Sequence, residues 1–201
     1  YPQLQMLIAG EWTNGKSGVT ENVICPADGT VLGELPHASK EDLDDALNSS
    51  LEGFNKWRSE TPLNRQSILE KAAKILEREF DKNSQNLTRE MGKPLAEAKI
   101  EMQTAIDLLR WYGEEGKRVY GRIIPSRIPN MEHEARKVPV GPVLAFVAWN
   151  FPATNVMRKV AGALAAGCSI TIKPSEETPA TAIAIGHALM EAGLPAGVLN
   201  I

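Results

Sequence analysis

The stretch between Gly141 and Glu176 constrains the fold more than any other part of this sequence, because two apolar runs flank a segment of helical character. The pattern predicts four elements and a closing polar turn: a strand (143–147), a sharp turn (148–152), a helix (about 153–166) and a second strand (169–172). A strand, a helix and a strand in this order form a βαβ unit, whose strands run parallel. The sequence therefore predicts an α/β protein.

Both turns of this unit carry side chains suited to a ligand. The first turn holds Trp149, Asn150, Phe151 and Pro152, and the second holds Lys173, Pro174, Ser175 and Glu176. Ligands of open parallel sheets bind beyond the carboxyl ends of the strands, where these turns lie. Neither turn contains the GxGxxG or GxxxxGK[ST] pattern that cradles phosphates. We therefore expect any nucleotide to be held by a different arrangement.

Composition excludes several classes of protein. The 201 residues include 22 basic and 25 acidic side chains, for a net charge of −3. Such a balance, without a run of like charge, argues against nucleic acid or a membrane surface as partner. No stretch approaches the roughly 20 apolar residues of a membrane span, and the first residues do not resemble a signal peptide. Two cysteines fit a reducing compartment, so we expect a cytoplasmic protein without a metal site.

The chain before residue 40 predicts a small antiparallel set of strands. Strand-like runs occur at 7–12, 23–25 and 31–35, with a turn at Asn14 and Gly15. Alternation of apolar and polar residues between turn-forming residues is typical of short hairpins. We expect this region to be structural.

Three helices are predicted next. The first begins at Ser39, with Asp42 as its capping-box partner. Its apolar positions recur at helical spacing: Leu43, Leu47, Leu51 and Phe54. A second helix is predicted over 61–92, and a third opens at Pro94 and ends near residue 113, since proline favours a first turn and glycine a last one. We expect all three to be scaffold rather than site.

Residues 120–139 differ from the segments around them. Two extended runs lie on either side of a polar turn, which predicts a protruding hairpin, with a long surface loop as the alternative. An isolated two-stranded ribbon is marginal in water, so we expect it to contact another surface. After the βαβ unit, Thr178 and Pro179 predict a further helix start, with Thr178 as the cap, and residues 197–201 predict another strand.

Several of these motifs resemble one known family. The run AWNFP, the helix ending LAAGC, the turn KPSEETP and the later GLPAGVLNI are similar to the NAD(P)-dependent aldehyde dehydrogenase superfamily, and the resemblance runs from LIAGEW to the last residue. It is nearest to the succinate-semialdehyde dehydrogenase branch. One position departs from it, because Ala148 stands where most members have proline.

The resemblance implies a Rossmann-like parallel sheet with flanking helices, in three parts. Residues 1–119 would be the amino-terminal part of the cofactor-binding domain, 120–139 an oligomerisation hairpin, and 140–201 a βαβαβ part of the NAD(P)-binding domain. Members of the family are longer, so we interpret the chain as an amino-terminal portion. A homodimer or homotetramer is expected.

Aldehyde oxidation by this family needs a nucleophile, an oxyanion donor, a nicotinamide that accepts hydride, and a base. The resemblance makes Asn150 the oxyanion donor; the alternative is an asparagine that caps the following helix. It places Phe151 in the substrate tunnel and Trp149 beside the cofactor, against the alternative of ordinary core aromatics. Cys168 reads as a small buried residue, like Cys25. The nucleophile and base motifs are not in these residues, so we expect the isolated chain to be inactive.

The resemblance also implies the cofactor contacts. Lys173 and Glu176 would bind the adenosine ribose, and Val147, Ala148, Trp149, Asn150, Pro174 and Ser175 would complete the cofactor site. A carboxylate at position 176 repels a 2′-phosphate and so favours NAD, whereas the Ser175 hydroxyl can donate to that phosphate. The expected cofactor is NAD or NADP, with NAD favoured.

Arg158 carries the prediction about substrate. In the succinate-semialdehyde branch, an arginine at this place pairs with the distant carboxylate of the aldehyde, a match suited to guanidinium. The predicted substrate is therefore succinate semialdehyde or a related carboxylated aldehyde; the alternative for Arg158 is an ordinary surface arginine. Two other functions stay open: a non-catalytic module for nucleotide binding or oligomerisation, and an aldehyde dehydrogenase that releases its acyl group to coenzyme A.

Overall fold

Nine short strands and six helices make up the computed structural model, which describes residues 1–201. The strands are β1 Met6–Ile8, β2 Glu11–Thr13, β3 Thr20–Ile24, β4 Val31–Pro36, β5 Arg122–Pro125, β6 Glu132–Ala135, β7 Val143–Phe146, β8 Ile170–Lys173 and β9 Leu199–Asn200. The helices are α1 Lys40–Trp57, α2 Pro62–Arg78, α3 Phe80–Met91, α4 Leu95–Glu115, α5 Pro152–Ala166 and α6 Pro179–Glu191.

Local signals set most helix ends where the sequence predicts them. Ser39 and Asp42 form a complete capping box at the start of α1. Gly92 ends α3 and Gly167 ends α5, both in the left-handed conformation that glycine adopts without steric cost. Proline occupies the first turn of α2, α5 and α6.

Two boundary predictions are wrong. The helix predicted over 61–92 is two helices, because the chain leaves helical geometry at Glu79 (φ −97°, ψ 13°), where neither glycine nor proline marks a break. The first hairpin turns at Ala9 and Gly10, whose φ values of 53° and 90° suit a tight turn, and not at Asn14 and Gly15. The predicted run 7–12 therefore folds back on itself.

A three-stranded parallel sheet, in the order β7, β8, β9, forms the centre of the α/β part. Val143 lies opposite Ile170, and Ile170 lies opposite Leu199. Helix α5 connects the first two strands and α6 connects the last two, as the βαβ pattern predicts. Leu7 and Ile201 exchange backbone hydrogen bonds of 3.0 and 2.9 Å, so the amino-terminal hairpin adjoins the end of β9.

The helices of the first half and the βαβ unit share one hydrophobic core. Leu69 of α2, Ile106 of α4, Met157 of α5 and Ile170 of β8 are fully buried members of the same cluster. Trp57, at the end of α1, is also fully buried, and its Nε1 donates to the Leu164 carbonyl oxygen at 2.8 Å. Residues of α1 to α4 are therefore held directly against the βαβ unit.

The predicted apolar face of α1 is only partly used. Phe54 is buried, whereas the side chains at the three preceding apolar positions are about half exposed: Leu43, Leu47 and Leu51.

Strands β5 and β6 pair antiparallel, and all of their residues are exposed. Their predicted role in oligomerisation stays a prediction. None of the helices combines the length and apolar character needed to cross a lipid bilayer.

Candidate active site

Two turns lie side by side at the carboxyl edge of the sheet. We call residues 147–151, between β7 and α5, the first turn, and residues 173–178, from the last residue of β8 to the residue before α6, the second turn. Phe146 lies opposite Lys173, and the Val147 amide donates to the Lys173 carbonyl oxygen at 3.1 Å. Parallel pairing of two neighbouring strands therefore brings the predicted site residues of both turns together.

Asn150 lies exposed in the first turn, two residues before Pro152, the first residue of α5. No side chain at that helix start caps it locally, so the alternative role of Asn150 as a helix cap is wrong. Instead, the Nδ2 of Asn155 lies 3.4 Å from the Oδ1 of Asn150. This contact occupies the acceptor end of the Asn150 amide and leaves its Nδ2 group to donate to a ligand.

The two aromatic residues of the first turn are not core residues. Trp149 is 52% exposed and Phe151 is 49% exposed. The Nζ of Lys93 lies 4.3 Å from the centroid of the Phe151 ring, within the range of a cation–π contact. Both rings are therefore open to a ligand, and one of them is held by a lysine from outside the βαβ unit.

The amino terminus of α5 is capped by Glu101, which lies on α4. Its Oε1 accepts hydrogen bonds from the amides of Ala153 at 2.8 Å and Thr154 at 3.2 Å. Its Oε2 is ion-paired with Lys93, and the two side chains are only 3% and 7% exposed. The Lys93 ammonium also lies 3.5 Å from the carbonyl oxygen of Asn150. A buried ion pair thus connects α4 with the first turn.

Glu90 of α3 caps the amino terminus of α6. Its carboxylate accepts from the Ala180 amide at 2.8 Å and from the Thr181 amide at 3.1 Å, while the Tyr1 hydroxyl donates to it at 2.6 Å. Thr178, the predicted cap, makes no capping hydrogen bond. Burial raises the pKa of Glu90 to about 6, against the opposing effect of these hydrogen bonds.

The prediction that the early helices serve only as scaffold is therefore incomplete. Three buried charged residues that it left out, Glu90, Lys93 and Glu101, contact the helix starts or the turn of the site. One signal in the sequence was available. Neither α5 nor α6 carries an acidic residue in its first turn, so their amides needed acceptors from elsewhere.

The second turn presents an exposed ion pair. The Nζ of Lys173 lies 2.5 Å from the Oε2 of Glu176, and this hydrogen bond holds the pKa of Glu176 below its usual value. Ser175 is buried, and its hydroxyl donates to the Glu177 carboxylate. A ligand at this turn would meet one cation and one carboxylate, while the serine hydroxyl is already engaged.

These residues fit part of a nicotinamide dinucleotide. The exposed ammonium of Lys173 and carboxylate of Glu176 have the donor and acceptor groups that ribose hydroxyls require. A diphosphate, in contrast, commonly binds the free amides of a helix amino terminus. In α5 and α6 those amides are bonded to Glu101 and Glu90, so this part of the molecule would need another diphosphate site.

The remaining predicted residues lie on α5 or in the core. Arg158 and Lys159 are exposed on α5, where Lys159 donates to the Asn155 carbonyl oxygen at 3.3 Å. Cys25 and Cys168 are free and buried, with 7% and 3% exposure. As predicted, neither cysteine is open to a substrate.

The fold and the paired turns define an α/β protein with a candidate ligand site at the carboxyl edge of its parallel sheet. The model of the aldehyde dehydrogenase family matches residues 12–201, and the chain therefore belongs to this family. This confirms the family on which the sequence analysis relied.

Relatives with known names support this assignment. The chain is 45% identical over 197 residues to a 4-(hydroxymethyl)benzenesulfonate dehydrogenase of Comamonas testosteroni. The matched residues are 98% of this chain and 41% of that protein. The chain is 38% identical, with the same coverage, to the NADP-dependent succinate-semialdehyde dehydrogenase of Escherichia coli K12. The crystal structure of succinate-semialdehyde dehydrogenase from Burkholderia pseudomallei superposes with a TM-score of 0.96 at 39% identity, over 98% of this chain and 41% of that one. The chain thus spans well under half the length of these relatives.

Proposed function

We propose that this chain supplies the oxyanion donor and the ribose-binding side of an NAD(P)-dependent aldehyde dehydrogenase, which oxidises an aldehyde to the acid. The observation that carries the proposal is the adjacency of the two turns, with a free amide donor on Asn150 and an exposed Lys173–Glu176 pair. The three parallel strands would then be the first part of a Rossmann-like sheet.

Asn150 would stabilise the oxyanion of the tetrahedral adduct. Its Nδ2 is a neutral donor, so it acts without changing its protonation state, and such a donor is worth about 2.7–4 kcal/mol of barrier. When bound, the nicotinamide supplies the hydride acceptor. Because Cys25 and Cys168 are buried, the nucleophilic thiol would come from a part of the enzyme other than residues 1–201. The general base would come from there as well, and residues 1–201 alone would not catalyse the reaction.

NAD is the favoured cofactor of the proposed site. The ribose hydroxyls would bind Lys173 and Glu176, with Val147, Ala148, Trp149 and Pro174 beside them. The Glu176 carboxylate would repel a 2′-phosphate, and the Ser175 hydroxyl, the group in this turn suited to donate to that phosphate, donates to Glu177 instead. The Escherichia coli relative is named for NADP, so a direct comparison of the two cofactors tests this preference.

An aldehyde with a distant acidic group is the proposed substrate. The relatives named above are named for a benzenesulfonate and for succinate semialdehyde, both of which carry an acid group away from the reacting carbon. Arg158 is exposed on α5, about two helical turns after Asn150, and guanidinium suits both carboxylate and sulfonate. Succinate semialdehyde is the first substrate to test.

The experiment compares succinate semialdehyde with butanal, an uncharged aldehyde of equal chain length, in the longest protein that contains this sequence. Reduction of NAD and of NADP is followed by absorbance. Arg158→Gln should raise KM for succinate semialdehyde about 10- to 100-fold and leave butanal unaffected, since only the former loses a charged partner. Arg58→Gln, at an exposed arginine that directly follows α1, is the matched control.

Product analysis separates the other candidate functions. Release of free acid supports the proposed dehydrogenase, whereas release only in the presence of coenzyme A, as its thioester, would identify an acylating enzyme. Binding of NAD(P) without reduction by any aldehyde would leave a nucleotide-binding module and overturn the proposal.

Oligomerisation through the β5–β6 hairpin is part of the same proposal. All eight paired residues are exposed, and Ile123 is 73% exposed in the ribbon. A homodimer or homotetramer would cover these residues. Replacement of Ile123 by Asp should shift sedimentation toward the monomer; an unchanged sedimentation coefficient would count against this role.

A further inference from the structure

We propose that Lys93 and Glu101 are positioning residues for aldehyde oxidation, because together they hold the first turn from outside the βαβ unit. Neither residue reaches the Nδ2 of Asn150, the group assigned to the oxyanion. Their action is on the backbone and ring beside it. This inference rests on the proposed function of the first turn.

The backbone around Lys93 has little freedom. It lies between Gly92, which ends α3 in the left-handed conformation with φ 83°, and Pro94, the N-cap of α4. A Cβ on Gly92 would lie 2.9 Å from Pro26, so this position is tightly packed as well. The lysine therefore enters the site from a fixed point in the helical layer.

One ammonium contacts three groups that belong to two parts of the fold, α4 and the first turn. The Lys93 Nζ is ion-paired with Glu101, lies 3.5 Å from the Asn150 carbonyl oxygen, and lies 4.3 Å from the Phe151 ring centroid. Surface lysines usually end in water, whereas this side chain is only 7% exposed. Its charge is thus used within the protein, at the residues proposed for oxyanion and substrate.

Glu101 completes the restraint from the other side of the turn. Its second carboxylate oxygen holds the Ala153 and Thr154 amides, so the contacts fix the first turn before and after Pro152. We call these contacts the clamp: Lys93 with Asn150 and Phe151, and Glu101 with Ala153 and Thr154. The clamp uses backbone groups and an aromatic face, and therefore leaves the donor amide of Asn150 free.

The clamp predicts a specific kinetic effect. A donor that is displaced by about 1 Å can cost on the order of 100-fold in rate, and an oxyanion forms only as the reaction proceeds. Loss of the clamp should therefore lower kcat. It should change KM for NAD(P) far less than kcat, since Lys173 and Glu176, the charged groups of the proposed cofactor site, lie on the second turn, where α6 is held by Glu90.

The experiment uses Lys93→Met, which keeps the length of the side chain and removes its charge, in the longest protein that contains this sequence. We expect kcat to fall about 10- to 100-fold and KM for NAD(P) to stay within about twofold. Lys93→Arg should restore most of kcat. Lys99→Met is the matched control, because Lys99 lies on α4 in an exposed pair with Asp81 at 2.7 Å and contacts nothing in the site.

Lys93→Met leaves the Glu101 carboxylate buried without its cation, so a loss of activity could reflect unfolding. The double variant Lys93→Met/Glu101→Gln removes both charges. It should melt at a temperature nearer that of the unmodified protein than the single variant does, while kcat stays low. Full kcat in either folded variant would overturn the positioning role.

A second measurement keeps the inference separate from the proposed function. If the unmodified protein oxidises no aldehyde, the proposed function fails, and the clamp is tested by the NMR signals of the Asn150 side-chain amide. Those signals should shift in the double variant and not in Lys99→Met. Unchanged signals in the double variant would overturn the clamp itself.

Discussion

The first and second turns have the same design but differ in how their supporting carboxylate is balanced. Each precedes a helix that begins with proline and lacks a local cap, and each helix is capped by a buried glutamate from the helical layer. Glu101, below the first turn, has a cation as partner. Glu90, below the second turn, has a tyrosine hydroxyl, a threonine hydroxyl and two amides.

The difference between the two carboxylates matches the different tasks proposed for the two turns. The first turn presents Asn150, whose proposed task requires a donor fixed in one place, and the cation of Lys93 reaches that turn directly. The second turn presents Lys173 and Glu176, an exposed pair whose side chains are free to adjust to the ribose hydroxyls proposed as their ligands. Glu90 therefore supports only the start of α6. Glu101 supports the start of α5, and its partner Lys93 also contacts the first turn.

The largest expected effect separates the two glutamates by stability. Glu101→Gln should lower the free energy of unfolding by about 3–5 kcal/mol, because Lys93 remains as a buried charge without its partner. Glu90→Gln should cost less than about 2 kcal/mol, since no cation is stranded and an amide oxygen can still accept from the helix. Urea unfolding at neutral pH measures both. Equal losses would mean that the ion pair is no different from the uncharged arrangement.

Asn150→Ala tests whether the first turn is built for chemistry. We expect kcat for aldehyde oxidation to fall about 100- to 1,000-fold, as for removal of an oxyanion donor. The free energy of unfolding should change by no more than about 0.5 kcal/mol, because the side chain is exposed and caps no helix. Asn22→Ala, at an exposed position of β3, is the control. A melting temperature lowered as for a lost cap would contradict this reading of Asn150.

Glu90 should make the second turn sensitive to pH. Its pKa rises from 4.5 to about 6 on folding, which corresponds to roughly 2 kcal/mol. Because the folded pKa lies above the unfolded one, this stabilisation is fully present below pH 4.5 and is lost as pH rises through about 6. Wild type should therefore lose about 2 kcal/mol relative to Glu90→Gln between pH 4.5 and pH 8.

Urea unfolding of both proteins at several pH values measures that difference, since the other carboxylates contribute equally to each and cancel. Glu77→Gln, at an exposed position of α2 that pairs with Arg110, is a control with the opposite sign, because hydrogen bonds from Arg110 lower its pKa. A Glu90 difference that does not vary with pH would show that the pKa of Glu90 is not raised on folding.

Glu176→Gln should have the smallest effect on stability, within about 0.5 kcal/mol, because its pair with Lys173 is exposed. Its effect should appear in cofactor choice, where removal of the carboxylate weakens the repulsion of a 2′-phosphate. The ratio of kcat/KM for NADP to that for NAD should rise in the variant. Glu52→Gln, at an exposed position of α1, is the control for that ratio, and an unchanged ratio for Glu176→Gln would remove this residue from the cofactor site.

Several parts of this structure are readable from sequence because their causes are local. The run 143–172 predicts two strands and a helix from periodicity, and the capping box at Ser39 and the turn at Gly92 follow from the chemistry of single residues. The break at Glu79 has neither glycine nor proline, so the sequence-based prediction joined α2 and α3 into one helix. The tight turn at Ala9 and Gly10 does contain a glycine, which the prediction of a single run over 7–12 did not use.

The sequence by itself determined the two turns, their residues and the family, because a turn and the strand before it are neighbours in the chain. Only the tertiary structure decided what supports those turns. The hydrogen bonds from the starts of α5 and α6 reach Glu101 and Glu90 across separations of 52 and 90 residues. From sequence, a charged residue on a helix is predicted to be exposed to water. Only when tertiary packing buries it does its charge need a partner within the protein.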